Sequence, residues 1–472
     1  MKRFAIDTWI FALALSAGCS STPASSGLES SGLASPSGAA LLGDGVARAM
    51  VDGHPPSDVL VYAKGKADLG SEALPTSRAE RTTEVHRRLV AHAVNAQQSL
   101  RTWLTEQGAA TTSFHIVNAV LVKGAAPHLL RQLAARADVA KIALDARVAS
   151  DAAVETMAVS PSARGIAWGI ERTGAPRAWE SGFTGAGVVV GLIGSGVRGT
   201  HEALRGNFRG LENHGWYDAV DGLLTPYDPV GTGTHIAGIA VGANGIGMAP
   251  DARWMACAAC RSEGCADSAL LKCGEFMLCP RGDACEAAPH VVVAGFGGGR
   301  GHTFYNEIID AWRAAGIIPV FAVGNHGPSC ATAHSPGDQP NIISVGATTP
   351  NGEVSPFSSR GPSVDGRIAP TLVAPGSHVL SAGLTRDTSY ETKSGTAFAA
   401  AHVAGGVALL LSVSPNMTFE QVTNAIASSA DATAPAGQSC GGIADDVFPN
   451  NLAGFGTLNI QKALASVLET GE

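Results

Sequence analysis

The run GVVVGLIG, residues 187–194, carries no charge and shows no alternation of apolar with polar side chains. A strand with one wet face repeats with period two, whereas a strand covered on both faces reads as a continuous apolar run. HVVVAGFGG (290–298), IIPVFAVGN (317–325) and NIISVGA (341–347) have the same character. From Gly165 onward such runs alternate with helical stretches, the pattern of a parallel sheet covered by helices. TAFAAAHVAGGVALLLSV (396–413) is rich in small apolar residues and reads as a long core helix rather than a membrane span. The expected class is α/β, a parallel sheet flanked by helices.

The chain has 472 residues, enough for two or three domains. Its net charge is −8 with no block of like charges, which argues against a nucleic-acid partner. Ahead of the larger domain (151–472) lies a smaller patterned region, 58–150. SDVLVYAKG (57–65) reads as a strand. Val85, Leu89, Ala93, Ala96, Leu100 and Trp103 recur at spacings of three and four, the signature of an amphipathic helix. SFHIVNAVLVKG (113–124) is β-rich, and APHLLRQLAARADVAKIALD (126–145) reads as helix, turn and strand. The order is β-α-β-α-β, with room in the middle for a second hairpin strand.

Residues 1–19 have the form of a bacterial export signal: Lys2 and Arg3, then a short apolar run over 8–17. Ser16-Ala17-Gly18-Cys19 resembles a lipobox, which would make Cys19 the lipidated N-terminus of an outer-membrane or cell-surface lipoprotein. A plain secretory signal with an incidental cysteine is the other reading. Residues 20–57 are rich in Ser, Ala, Gly and Pro and read as a flexible tether. Beyond Cys19 there are eight cysteines: Cys257, Cys260, Cys265, Cys273, Cys279, Cys285, Cys330 and Cys440. An even count in an exported chain points to disulfides, with connectivity open. Zinc is the rival, but the CxxC of Cys257 and Cys260 has no second pair at a suitable spacing.

Three motifs carry the functional signal. SGTAFAAAHVAGG (394–406) resembles the nucleophile stretch of subtilisin-like serine proteases, with Ala397 where that family has serine. VVVGLIGSGVRGTHEAL (188–204) resembles the stretch around the family's aspartate, whose position holds Gly194. GTGTHIAG (231–238) resembles the histidine motif, with Thr232 at the catalytic position and His235 at the motif's second histidine. FSSRGP (357–362), TLVAPGSHVLSA (371–382) and GFGTLNIQKAL (454–464) resemble further landmarks, so the resemblance covers about 167–467. HEALRGNFRG, TPYDPVGTGTH and APDARWMACAAC are most similar to the bacillopeptidase F-like branch. The resemblance extends to the 58–150 region, which looks like the ferredoxin-like propeptide that assists folding and then caps the active site.

What the resemblance implies for chemistry is specific. In the family, serine attacks the peptide carbonyl, histidine takes its proton and aspartate holds the imidazole. Gly194, Thr232 and Ala397 supply none of those groups, and all three are smaller than what they replace. Losing all three together leaves no orphaned buried charge. Asn325 in FAVGNHGP (321–328) matches the family's oxyanion donor; it is either a residual turn residue or part of a binding site. Gly295, Phe296 and Gly297 match the pocket strand, with Val293 where the branch carries asparagine.

The expectation is therefore an exported subtilisin-like homologue without protease activity. It would bind a peptide, a protease or an inhibitor through a residual cleft, reach the membrane only through its N-terminal lipid, and be a monomer. No cofactor or catalytic metal is expected, although the resemblance allows structural calcium. Two alternatives stay open: a serine-type endopeptidase or hydrolase with a rebuilt site, drawing on Ser195, Thr396, His201, His235 or His402, and a structural surface lipoprotein. Without a triad the chain should stay uncut between Ala149 and Ser162.

Overall fold

A computed structural model describes residues 40–70, 74–149, 153–159 and 165–470. The export signal, Cys19 and residues 20–39 lie outside the described residues. The smaller region contains β1 (Leu41–Leu42), α1 (Val46–Ala49), β2 (Ser57–Ala63), α2 (Arg78–Glu106), β3 (Thr111–Phe114), β4 (Ala119–Ala125), α3 (Pro127–Ala134) and β5 (Val139–Leu144). Its sheet has the order β1-β5-β2-β4-β3, antiparallel except for β1 beside β5. The β-rich stretch 113–124 thus contains the end of one strand, a turn and most of the next. Asn118 makes that turn at φ 47°, a conformation Asn tolerates better than most side chains. Residues 40–49, placed within the 20–57 tether by composition, depart from that reading: Ala40, Val46 and Ala49 are buried in this sheet's core. Three small apolar side chains suffice to dock a stretch that looked too lean to pack.

The chain continues through β6 (Arg147–Val148), β7 (Glu155–Val159), α4 (Trp168–Arg172), α5 (Ala175–Glu180), β8 (Val189–Gly194), β9 (Trp216–Asp218), α6 (Thr232–Val241) and β10 (Arg253–Ala258). Then follow β11 (Cys260–Arg261), β12 (Gly264–Ala266), α7 (Asp267–Leu278), β13 (Val291–Ala294), α8 (Asn306–Ala314), β14 (Ile318–Ala322), β15 (Ile343–Thr348) and β16 (Leu372–Pro375). β17 (Val379–Ala382), β18 (Tyr390–Ser394) and α9 (Thr396–Val413) lead to the C-terminal elements. Seven strands form one sheet in the order β16-β15-β14-β13-β8-β10-β9, every pair parallel.

Burial explains the unbroken apolar runs. Val190, Leu192, Val291 and Val293 face a core built with α6 and α9, while Ile193, Val292, Ala294 and Phe321 face a second core with α7 and α8. Helix α9 is apolar and long enough to cross a membrane, yet 89% of it is buried inside the protein, as a core helix should be. The smaller region shares the second core: Leu60, Phe114, Ile116 and Leu121 join Leu271, Phe276 and Trp312. Polar contacts fix the docking. Glu275 on α7 accepts from the amides of His115 (2.6 Å) and Ile116 (3.2 Å), and Asp145 accepts from the amide (2.8 Å) and hydroxyl (2.7 Å) of Ser268.

The eight cysteines form four disulfides: Cys257–Cys273, Cys260–Cys265, Cys279–Cys285 and Cys330–Cys440. Both sulfurs of the CxxC are committed to different partners, which disposes of the zinc alternative there. Cys279 and Cys285 also cluster with His86, but a disulfide offers no thiolate to a metal.

Candidate active-site cleft

The strand order reverses at β8. The chain builds β9 and β10 on one side of it, then crosses to β13 on the other. Open α/β sheets place ligands in the crevice at such a point, outside the carboxyl ends of the strands. Gly194 ends β8 at that crevice, and a Cβ built on it would meet nothing within 4 Å among the described residues. Thr232 opens α6, and its Cγ2 lies 3.7 Å from where a Cβ on Gly295 would stand. Ala397 is the second residue of α9 and is buried. Asn325 reaches the same helix start: its Oδ1 accepts from the Thr396 amide (2.9 Å) and the Thr396 hydroxyl (2.8 Å). That bond aims the Asn325 amide group; in the first turn of α9 the Phe398 amide donates to the Gly395 carbonyl (3.2 Å), while the Ala397 N–H stands at a helix start, where amides lack an i−4 carbonyl acceptor. A preorganised pair of donors for a carbonyl or carboxylate oxygen is what such an arrangement can supply.

Nearby groups able to stand in for the triad are otherwise engaged. His235 is fully buried with Nε2 against the Val379 carbonyl (3.0 Å), and burial holds its pKa well below the ordinary value. His402 sets Nδ1 against the Phe398 carbonyl (2.8 Å) and is held down to about 4 by burial. His201 faces the Ser389 carbonyl through Nε2 (2.7 Å) and the Ala203 amide through Nδ1 (3.2 Å). Ser195 is buried and accepts from the Gly233 amide (3.1 Å), which ties β8 to α6. Thr396 is spent on Asn325. None of these hydroxyls is bonded to an imidazole.

Phe296 departs from its expected place in the pocket. It is buried, 5.8 Å from Tyr305 and 6.3 Å from Phe321 between ring centroids, so it belongs to the core. The cleft uses the backbone beside it. The Gly297 amide donates to the Ala149 carbonyl at 3.3 Å. On the other side of that segment, β6 pairs antiparallel with β12, Val148 opposite Cys265 and Arg147 opposite Ala266.

Beyond the floor a second arm is built from β17, β18 and β7. β18 is the central strand, antiparallel to both neighbours, with Lys393 opposite Thr156 and Ser394 opposite Glu155. The Val154 amide donates to the Ser394 carbonyl at 2.8 Å. Lys393 escaped sequence reading because it lies one residue before the nucleophile-like stretch. It is buried, 3.2 Å from Glu391 and 3.3 Å from the Gly231 carbonyl just ahead of Thr232.

A seven-stranded parallel sheet with its cleft between the starts of two buried helices defines a subtilisin-like α/β protein. The chain belongs to the subtilase family, whose model matches residues 185–456. It is 34% identical over 336 residues to bacillopeptidase F of Bacillus subtilis (strain 168), covering 65% of this chain and 22% of that relative. It is 31% identical over 276 residues to subtilisin E of the same strain, covering 57% of this chain and 67% of that relative. An alkaline protease of Alkalihalobacillus alcalophilus is 30% identical over 294 residues, 61% of this chain and 70% of the relative. The chain therefore spans under a quarter of bacillopeptidase F.

Proposed function

We propose that this subtilase is catalytically inactive and keeps its cleft for holding a peptide chain. One observation carries the reading: the three positions at the switch-point crevice hold Gly194, Thr232 and Ala397, and each histidine considered as a replacement is bonded to backbone. In subtilisin, a relative, removing the triad costs about 10⁶ in turnover and leaves roughly 10³–10⁴ over water from binding and the oxyanion hole. On that borrowed scale the chain is no working protease. The region before Ala149 acts in this reading as a propeptide-like domain that is never released. Export, lipidation at Cys19, attachment to the outer membrane or cell surface and a monomeric state complete the proposal.

The rival is a serine-type endopeptidase or a hydrolase with a rebuilt site. Family membership and the Asn325 arrangement favour it. The decisive experiment takes the full chain without its export signal, records its intact mass, and incubates it with casein and a fluorophosphonate probe. A single uncut species, no label and no casein cleavage above buffer are expected. A cut between Ala149 and Ser162, or labelling, overturns the proposal.

A further inference from the structure

The cleft lies outside the carboxyl ends of the sheet strands. A second cavity, of about 170 Å³, opens at their amino ends, where His290 precedes β13 and Ile318 begins β14. The start of α2 lines it from the smaller region with Arg78 and Arg81. Arg313 of α8 and the start of α10 (Phe419–Ser428) line it from the larger domain. Three guanidinium groups thus share one carboxylate, Glu420, among the described lining residues. Glu420 is already paired with Arg313, whose guanidinium also lies 3.6 Å from the centroid of the Phe419 ring. Arg78 and Arg81 have no carboxylate partner among the described residues.

The bonds these two arginines make are to backbone. Arg81 donates through Nε to the Pro75 carbonyl (2.9 Å) and through Nη2 to the Thr76 carbonyl (3.0 Å). Arg78 donates through Nη2 to the Ala288 carbonyl (3.0 Å) and to the Pro289 carbonyl, while its Nε is buried without an acceptor. Carbonyls orient a guanidinium but do not neutralise it. A buried cation without a counter-charge is costly, and a buried donor without an acceptor adds to the cost. Burial and the neighbouring Arg209 charge hold Arg78 down to about 10, so it stays charged at neutral pH. His290 is held down to about 3 by burial, Arg78 and Arg209, so it is neutral there. The N-termini of α2 and α10 add partial positive charge at the same cavity.

We propose that this cavity binds a phosphate group, which pins the start of α2 to the larger domain. Guanidinium forks match the oxygens of phosphate, and charge-assisted bonds to them are the strong kind. An oxyanion supplies both the missing counter-charge and acceptors for N–H groups that have none. Because the cavity is lined by both regions, its occupant stabilises their docking by mass action. The proposal does not depend on the loss of catalysis, since the cavity and the cleft lie at opposite ends of the sheet.

The test titrates inorganic phosphate into the full chain without its export signal, at constant ionic strength against chloride, by calorimetry and by melting temperature. A Kd of about 1 mM or tighter and a raised melting temperature are expected. Arg81→Gln should weaken binding about ten- to hundred-fold, the loss of one charge-assisted contact. Glu420→Gln removes the competing carboxylate and should tighten binding about five-fold. Glu420 is 66% exposed, so this variant keeps its fold and decides the matter if Arg81→Gln misfolds. Chloride and phosphate acting alike on the native chain overturns the proposal. So does phosphate binding that Arg81→Gln leaves unchanged in a chain with a native melting profile, or that Glu420→Gln fails to tighten. Vesicles of phosphatidylglycerol in phosphatidylcholine identify the source of the phosphate. Vesicle binding that Arg81→Gln abolishes and inorganic phosphate competes away assigns a lipid headgroup, and phosphate binding without vesicle binding assigns a soluble phosphate. Vesicle binding indifferent to both, with no phosphate binding, overturns the proposal.

Discussion

The floor of the cleft and its arms make opposite use of the chain. At the floor, function in this family depends on three side chains, and Gly194, Thr232 and Ala397 offer neither carboxylate nor imidazole. Along the arms, contacts are made by main-chain groups of Gly297, Asp267, Ser394 and the β12 and β18 strands. Substitution deletes the first kind of function and leaves the second almost untouched, because every residue carries the same amide and carbonyl. In the proposed reading the reaction is lost while the main-chain groups that can hold a peptide remain.

The sharpest way to break this comparison is to restore the floor. Gly194→Asp, Thr232→His and Ala397→Ser together should bring back self-cleavage in the 149–162 junction, read by intact mass. The expected gain is about 10⁶ in rate, or ~8 kcal/mol of barrier. The open space around Gly194 makes room for the carboxylate. No cleavage by a folded triple variant means that more than three side chains have gone.

A smaller effect is expected in the second arm. Lys393→Met leaves the partly buried Glu391 carboxylate without its ion-pair partner and should cost about 3 kcal/mol in denaturant unfolding. Adding Glu391→Gln should recover most of it. An additive loss in the double variant would show that the pair is not coupled.

Next comes Asn325→Ala. In the native chain it strips the Thr396 amide and hydroxyl of their acceptor and should cost about 1–3 kcal/mol of stability. In the triple revertant the same change should lower the cleavage rate by about 10²–10³. A stability loss with no rate loss would make Asn325 a turn residue and nothing more.

The smallest effect concerns pH at the first arm. Burial, with the Asp145 carboxylate adding to it, pushes the Asp267 carboxyl up to about 7. The folded chain then holds that proton more tightly than the unfolded chain, so the contribution is full below about pH 4 and lost as pH rises toward 7. His402 works in the other sense: held down to about 4, it contributes fully above about 6.5 and loses that contribution as pH falls toward 4. Asp267→Asn should raise the melting temperature relative to the native chain at pH 7, and the difference should close near pH 4. A difference independent of pH would mean that this carboxyl titrates normally.

Much of this was legible in the sequence. The sheet strands announce themselves as apolar runs, and the intact motif flanks around Gly194 and Ala397 are what the proposed alignment with the family's catalytic positions rests on. The spacing of Val85 through Trp103 lies within α2 as built. Pairing was not legible, since cysteine count leaves connectivity open and only the fold brings Cys330 to Cys440. Nor was the direction of the Phe296 ring, because a residue flanked by two glycines gives no period to read.

The sequence by itself determined the class of the fold and the family, because each depends on local pattern. Only the tertiary structure decided which backbone carbonyls the histidines meet, that Lys393 borders the floor, and that residues 147–148 pair with β12 while 155–159 pair with β18. Those facts depend on backbone hydrogen bonds between segments distant in sequence. The residue types on either side of such bonds need not differ from those of any loop.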